Sequence, residues 1–144
     1  MKKGLTILLM TILVWFVGKN VFAVGSEGQP VKTKDRVEVI YFHGKQRCVT
    51  CEAIEKQTKE VVGKQFGSRL KQGRVVLRVI DFSDRKNRNI AKKYRVSWSS
   101  LFIVSHKNRQ ETVENLTEFA FANARTSPEK FKAGVAAAIN RALK

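Results

Sequence analysis

Two β-branched runs on either side of one helix-period segment constrain this chain more than any other feature. Val37–Phe42, "VEVIYF", reads as a buried or half-buried strand, and Arg74–Phe82, "RVVLRVIDF", reads as a second. Between them the period changes. From Cys48 onward Ile54, Thr58, Val61 and Val62 recur at helical spacing, with Glu55, Lys56, Lys59 and Lys64 between them. The spacing predicts a helix to about Phe66, with Gly67 as its stop. A strand, a helix and a strand in that order make a parallel pair joined by a right-handed crossover.

The second half has a different grammar. Ser83 or Asp84 can cap a helix that turns Ile90, Ala91 and Tyr94 toward the core. Ser100–Ser105, "SLFIVS", reads as a third strand. "HKNR" is a tight turn centred on Lys107-Asn108, and Gln110–Thr117 is the return strand of a hairpin. Glu118–Thr126 connects, part-helical, with Phe119 and Phe121. Ser127 as N-cap, Pro128 in the first turn and Glu129 at the dipole-favoured position open a last helix carrying Phe131, Val135, Ala138, Ile139 and Leu143. The expected fold class is α/β: a mixed central sheet of about four strands in the order β-α-β-α-β-β-α, with helices on both faces. At 144 residues the chain holds one such domain, expected over 36–144.

The first residues are set apart from that domain. Lys2 and Lys3 precede an uncharged apolar run, "GLTILLMTILVWFVG" from Gly4 to Gly18, and Val21 and Ala23 stand at the small-residue positions of a signal-peptidase site. The pattern predicts export to a bacterial periplasm with cleavage after Ala23; an uncleaved N-terminal membrane anchor is the alternative, although the run is short of the ~20 residues a bilayer crossing needs. Residues 24–35, rich in Gly, Ser, Pro and charge, read as a flexible tether. The net charge is +16, and losing Lys2, Lys3 and Lys19 leaves +13. In an exported protein that charge points away from nucleic acid and toward an anionic membrane surface or an acidic partner. Solvated helix faces account for it equally well.

Both cysteines lie in one stretch, "YFHGKQRCVTCEAIEKQ". Cys48 falls at the start of the first helix and Cys51 one turn further in. A helix N-terminus favours a thiolate, as do the neighbouring Lys45 and Arg47. This suits a dithiol exchange site in which Cys48 attacks and Cys51 resolves, the redox-active disulfide Cys48–Cys51 being the only cofactor required. Three other readings are possible. A structural disulfide across two residues closes too small a loop to stabilise much. A c-type haem needs His where Glu52 follows Cys51. A metal-binding or metal-delivery protein would use Cys48, Cys51 and His43, the His at the mouth of the same loop. His106 reads as a solvated turn residue.

The order of elements and the position of "CVTC" resemble the thioredoxin superfamily over about residues 36–144, with "AKKYRVSWSSLFIVSHKNR" similar to its helix end, loop and hairpin. More narrowly, His43, Gly44, Arg47, Cys48, Thr50, Cys51, Ile54 and Glu55 resemble exported bacterial thioredoxin-like proteins named as a subunit of a nitrophenyl-compound nitroreductase. That resemblance implies a redox subunit or electron relay beside a membrane-associated partner protein. No flavin or nicotinamide motif is visible, so the domain alone would not reduce a nitro group. The resemblance also implies that Trp98, Ser99 and Ser100 form the wall facing the cysteines and meeting the partner. Two departures stand out. Ser100 occupies the position of the family's cis-proline, and a cis bond before a non-proline residue costs about 2.5–4 kcal/mol, so a trans loop is expected. Phe42 stands where many members carry a buried acid, which leaves water, His43 or another group to take the Cys51 proton.

Overall fold

The structure, a computed structural model, describes residues 35–144. The expected signal peptide, and the tether up to residue 34, lie outside the described residues. Four strands form one sheet in the order β2-β1-β3-β4. Strand β1 (Arg36–His43) pairs in parallel with β2 (Val75–Asp81), the two joined by helices α1 (Val49–Gln65) and α2 (Gly67–Lys71). Strand β3 (Ser100–Lys107) runs antiparallel to β1, and β4 (Gln110–Asn115) antiparallel to β3. Between β2 and β3 come a 3-10 turn, Arg85–Asn87, and helix α3 (Arg88–Lys93); α4 (Thr117–Asn123) and α5 (Pro128–Leu143) complete the chain. The fold is thioredoxin-like.

Strand alternation divides the core into two layers. Val37, Val39 and Tyr41 of β1 face one way and pack with Ile54, Val61 and Val62 of α1 and with Phe131, Val135 and Ile139 of α5. Ile40 and Phe42 face the other way, into a smaller cluster with Ile80, Phe102 and Val104, covered by Ile90 and Tyr94 from the α3 side. Phe42, Tyr94 and Phe102 meet there with ring centroids about 6 Å apart. On the first layer α4 lies close over α5. A Cβ at Gly134 would enter the Phe119 ring, which stacks on Phe131 at 6.3 Å, so the contact needs a residue without a side chain.

The structure corrects the sequence reading at four places. Gly67 does not end the helical region: Phe66 breaks the α1 geometry and Gly67 opens α2. The stop is Gly73, left-handed at φ 69°, where Gly73 N–H donates to Leu70 O at 3.0 Å and Arg74 N–H to Arg69 O at 2.9 Å, the paired bonds of a Schellman cap. The hairpin turn is centred one residue later than expected. Lys107 pairs with Gln110, and Asn108 and Arg109 take φ of 52° and 65°, the two left-handed positions of a two-residue turn. Ser127 stands at the N-cap of α5 but its side chain makes no capping bond. His106 is no solvated turn residue. It lies within β3 opposite Arg36 and Glu111, with its Nε2 3.3 Å from the Glu38 carboxylate and turned off the angle a hydrogen bond needs.

In β2 the even-numbered residues turn their backbone groups toward β1, as the bonds Val37 N–H to Arg74 O and Phe82 N–H to His43 O require. The N–H and C=O groups of Leu77 and Val79 therefore point away from β1, along an edge that no other described strand pairs with.

Candidate functional site

Strand β1 ends at His43, and the loop Gly44–Arg47 brings the chain to Cys48 at the head of α1. Cys48 is extended (φ −88°, ψ 161°), and its sulfur accepts the Cys51 backbone N–H at 3.1 Å. The sulfur thus fills the N-cap role usually taken by a Ser or Asp oxygen. Both cysteines are free thiols; Cys48 is exposed, whereas Cys51, one turn in, is 6% exposed. The sequence placed them in these positions relative to the helix, but not the sulfur as the cap.

The Cys51 environment comes from three elements. Its Sγ lies 3.7 Å from Ser99 Oγ, in the loop before β3, so the thiol donates to that hydroxyl and a thiolate can accept from it. Burial by itself raises the Cys51 thiol. Hydrogen bonding with Cys48, through side chain and backbone, and then with Ser99 and Tyr41, outweighs the burial and holds the thiol below its ordinary value. Of the two thiols Cys48 is the more accessible.

Tyr41 is the residue that sequence reasoning missed. In the sequence it stands out only as part of a buried strand. It is fully buried beneath the head of α1, and its hydroxyl donates to the Cys51 carbonyl at 2.9 Å. The signal was present: an aromatic with a polar tip on the helix-facing side of β1, two residues before the loop, needs a partner for its O–H. Burial, then the charge on Cys51, pushes the phenol up to about 12 against the opposing effects of Ser99 and Arg47. At neutral pH Tyr41 is therefore a hydrogen-bond donor and not a base. Tyr41→Phe removes that donor and keeps the ring. The expected result is an upward shift of the pH midpoint for Cys51 alkylation, because Tyr41 is one of the groups that hold that thiol down. Mass-resolved iodoacetamide labelling across pH reads it, and an unchanged midpoint contradicts the assignment.

The other expected site residues are distributed unevenly. The Arg47 guanidinium is ion-paired with Glu55, on the second turn of α1, and bears on Tyr41. Lys45 is exposed in the loop, with no ion-pair partner among the described residues. Trp98 is 62% exposed and stacks on Phe121 of α4, ring centroids 6.2 Å apart and 11° from parallel. Val49, directly after Cys48, is exposed as well. Ser100 is buried, pairs with Phe42 across the sheet and donates its hydroxyl to Trp98 O at 3.0 Å; the Ser99–Ser100 peptide is trans. His43 turns Nδ1 to its own loop, 2.9 Å from Gly44 O. No group of three His, Cys, Asp or Glu side chains among the described residues converges in a way that could hold a metal ion. A buried acid does exist on β1, but it is Glu38, at the end of the strand remote from the cysteines.

No family model matches the sequence, and no curated protein matches it. Among solved structures, a malarial protein is similar at 22% identity and a TM-score of 0.40, over 60% of this chain and 93% of its own. A thioredoxin from Thermus thermophilus is similar at 20% identity and a TM-score of 0.36, over 69% of this chain and 78% of its own. The fold assignment rests on the strand order and register of this chain.

Proposed function

We propose that this chain is an exported thiol–disulfide oxidoreductase or dithiol electron relay working through Cys48 and Cys51. The observation that carries the reading is the pairing of one exposed sulfur, capping α1, with one buried sulfur a turn behind it. In the reductive direction the Cys48 thiolate attacks a partner disulfide, forming a mixed disulfide and releasing one partner thiolate. Cys51, losing its proton, attacks the Cys48 sulfur, forms the Cys48–Cys51 bond and expels the second partner thiolate. The two protons leave with the partner thiols; two electrons pass from this domain to the partner.

The narrower reading is a redox subunit of a membrane-associated reductase system, supported by the resemblance around His43, Arg47, Cys48, Thr50, Cys51 and Glu55. Export rests on the N-terminal sequence. In that setting any nitro-group chemistry falls to a partner that supplies a flavin or nicotinamide, and this domain delivers electrons to it or draws them from it.

Equilibration in glutathione buffers, followed by trapping and mass measurement, tests the reading. A Cys48–Cys51 disulfide should form reversibly, and one sulfur of the reduced pair should alkylate well below the free-thiol value of about 8.5. Alkylation of both thiols only at or above that pH, with no intramolecular disulfide in any buffer, would sink the proposal.

A further inference from the structure

Helix geometry brings one acid to the thiol pair. Glu55 follows Cys51 by four residues, so the two side chains are neighbours on one face of α1. The same spacing directs the Glu55 backbone N–H at the Cys51 carbonyl. The Tyr41 hydroxyl donates to that carbonyl from β1 at 2.9 Å. Glu55, Cys51 and Tyr41 therefore meet where α1 packs across the strand. Arg47 reaches the same place from the loop before the helix. Its guanidinium pairs with the Glu55 carboxylate and acts on the Tyr41 hydroxyl through hydrogen bonding and charge. The pair is sheltered: the Glu55 side chain is 14% exposed and that of Arg47 27%. Nearby charged and polar residues do not share this arrangement. Lys45, Gln46 and Glu52 are exposed, and their side chains make no hydrogen bond or ion pair among the described residues. Lys59, one turn beyond Glu55, holds the other carboxylate oxygen at 2.5 Å, so the cluster of Arg47, Glu55 and Lys59 stays net positive.

We propose that Glu55 is a positioning residue for the thiol pair: its carboxylate holds the Arg47 guanidinium at the Tyr41 hydroxyl, and so favours the thiolate of Cys51. The role rests on the dithiol reading of this site. A guanidinium offers only donors, so it engages the phenol oxygen and leaves the O–H free to donate. Donation to that oxygen polarises the O–H and makes it a stronger donor. The groups that face the Cys51 thiol are Cys48 from the helix head, Ser99 from the loop before β3 and Tyr41 from β1. Arg47 reaches it through the last of these. The sign of the effect separates this role from a plain charge. A carboxylate acting on the thiol by charge alone opposes the thiolate, and its removal would lower the pH at which Cys51 ionises. A carboxylate that places Arg47 has the opposite effect when it is removed.

Mass-resolved alkylation of Cys51 across pH, in the reduced full chain, tests this with Glu55→Gln, Arg47→Gln and the double variant. Glu55→Gln should raise the midpoint, in the same direction as Arg47→Gln. In the Arg47→Gln background, adding Glu55→Gln should bring no further rise, because the cation to be placed is gone. Tyr41→Phe should cancel the rise in the same way, because it closes the route through the hydroxyl. A lowered or unchanged midpoint in Glu55→Gln would overturn the proposal. So would a rise as large in the Arg47→Gln background, which is the mark of a loosened helix head and not of a placed guanidinium. Failure of the dithiol reading shows separately, as a wild-type chain that forms no Cys48–Cys51 disulfide in glutathione buffers while the order of the midpoints holds.

Discussion

Cys51→Ser should accumulate a stable mixed disulfide on Cys48 with an aryl disulfide substrate, releasing one equivalent of thiol and then stopping. Cys48→Ser should react at least about a hundredfold more slowly than the wild type, which corresponds to roughly 2.7 kcal/mol of barrier. The asymmetry follows from access. The Cys48 sulfur is exposed at the head of α1, whereas Cys51 lies behind it against Ser99 and over Tyr41. A hydrogen-bonded, largely buried sulfur meets a disulfide best when it has already been delivered next to it, which suits resolution better than first attack. Intact-mass analysis and the stoichiometry of released thiol measure both variants. Wild-type rates in Cys48→Ser, or an adduct that settles on Cys51, would reverse the assignment of roles.

The largest stability effect is expected far from the cysteines, at Glu38. Its side chain is buried on the α3 side of β1, with Arg36 at 2.8 Å, Arg78 at 3.4 Å and His106 at 3.3 Å. Removing the carboxylate in Glu38→Leu leaves those groups facing an apolar side chain. Arg36 and Arg78 are partly exposed and can turn to water, which limits the cost to about 2 kcal/mol in urea unfolding. The pH dependence has a definite sign. Burial works to raise the Glu38 carboxyl, but Arg36 first, then His106 and Arg78, hold it below its ordinary 4.5 in the folded state. Folded protein therefore binds this proton less readily than unfolded chain. The contribution is fully present above about 4.5 and is lost as pH falls through the lower folded value. Glu38→Gln should flatten the fall in unfolding free energy below pH 4.5, and an unchanged acid slope would show that other carboxylates set it.

Much of the architecture was legible because it depends on local periodicity. The β-branched runs, the helical spacing of Ile54, Thr58, Val61 and Val62, and the two-cysteine interval at a helix start are all properties of short windows, and these residues lie where that spacing puts them. What was not legible depends on cross-strand register or on a single backbone angle. His106 resembled a turn residue until the ladder set it opposite Arg36 and Glu111, with Glu38 within reach. Gly67 and Gly73 are alike in composition, and only the left-handed φ at Gly73 makes it the stop. Tyr41 was hidden for a related reason. Its hydroxyl meets Cys51 ten residues later, a contact that exists only once α1 has packed across β1.

The open edge of β2 has a consequence for how copies of this chain behave in a crowded compartment. An outer strand with outward amides at Leu77 and Val79 is a template for adding another strand, and a second copy of the same edge is always at hand. Arg74 stands at the head of that strand and Arg78 in its middle, the latter only partly neutralised by Glu38. Two such edges brought together would confront like charges on both sides of the new ladder. Like charges facing each other in that way disfavour pairing of this edge with a second copy of itself.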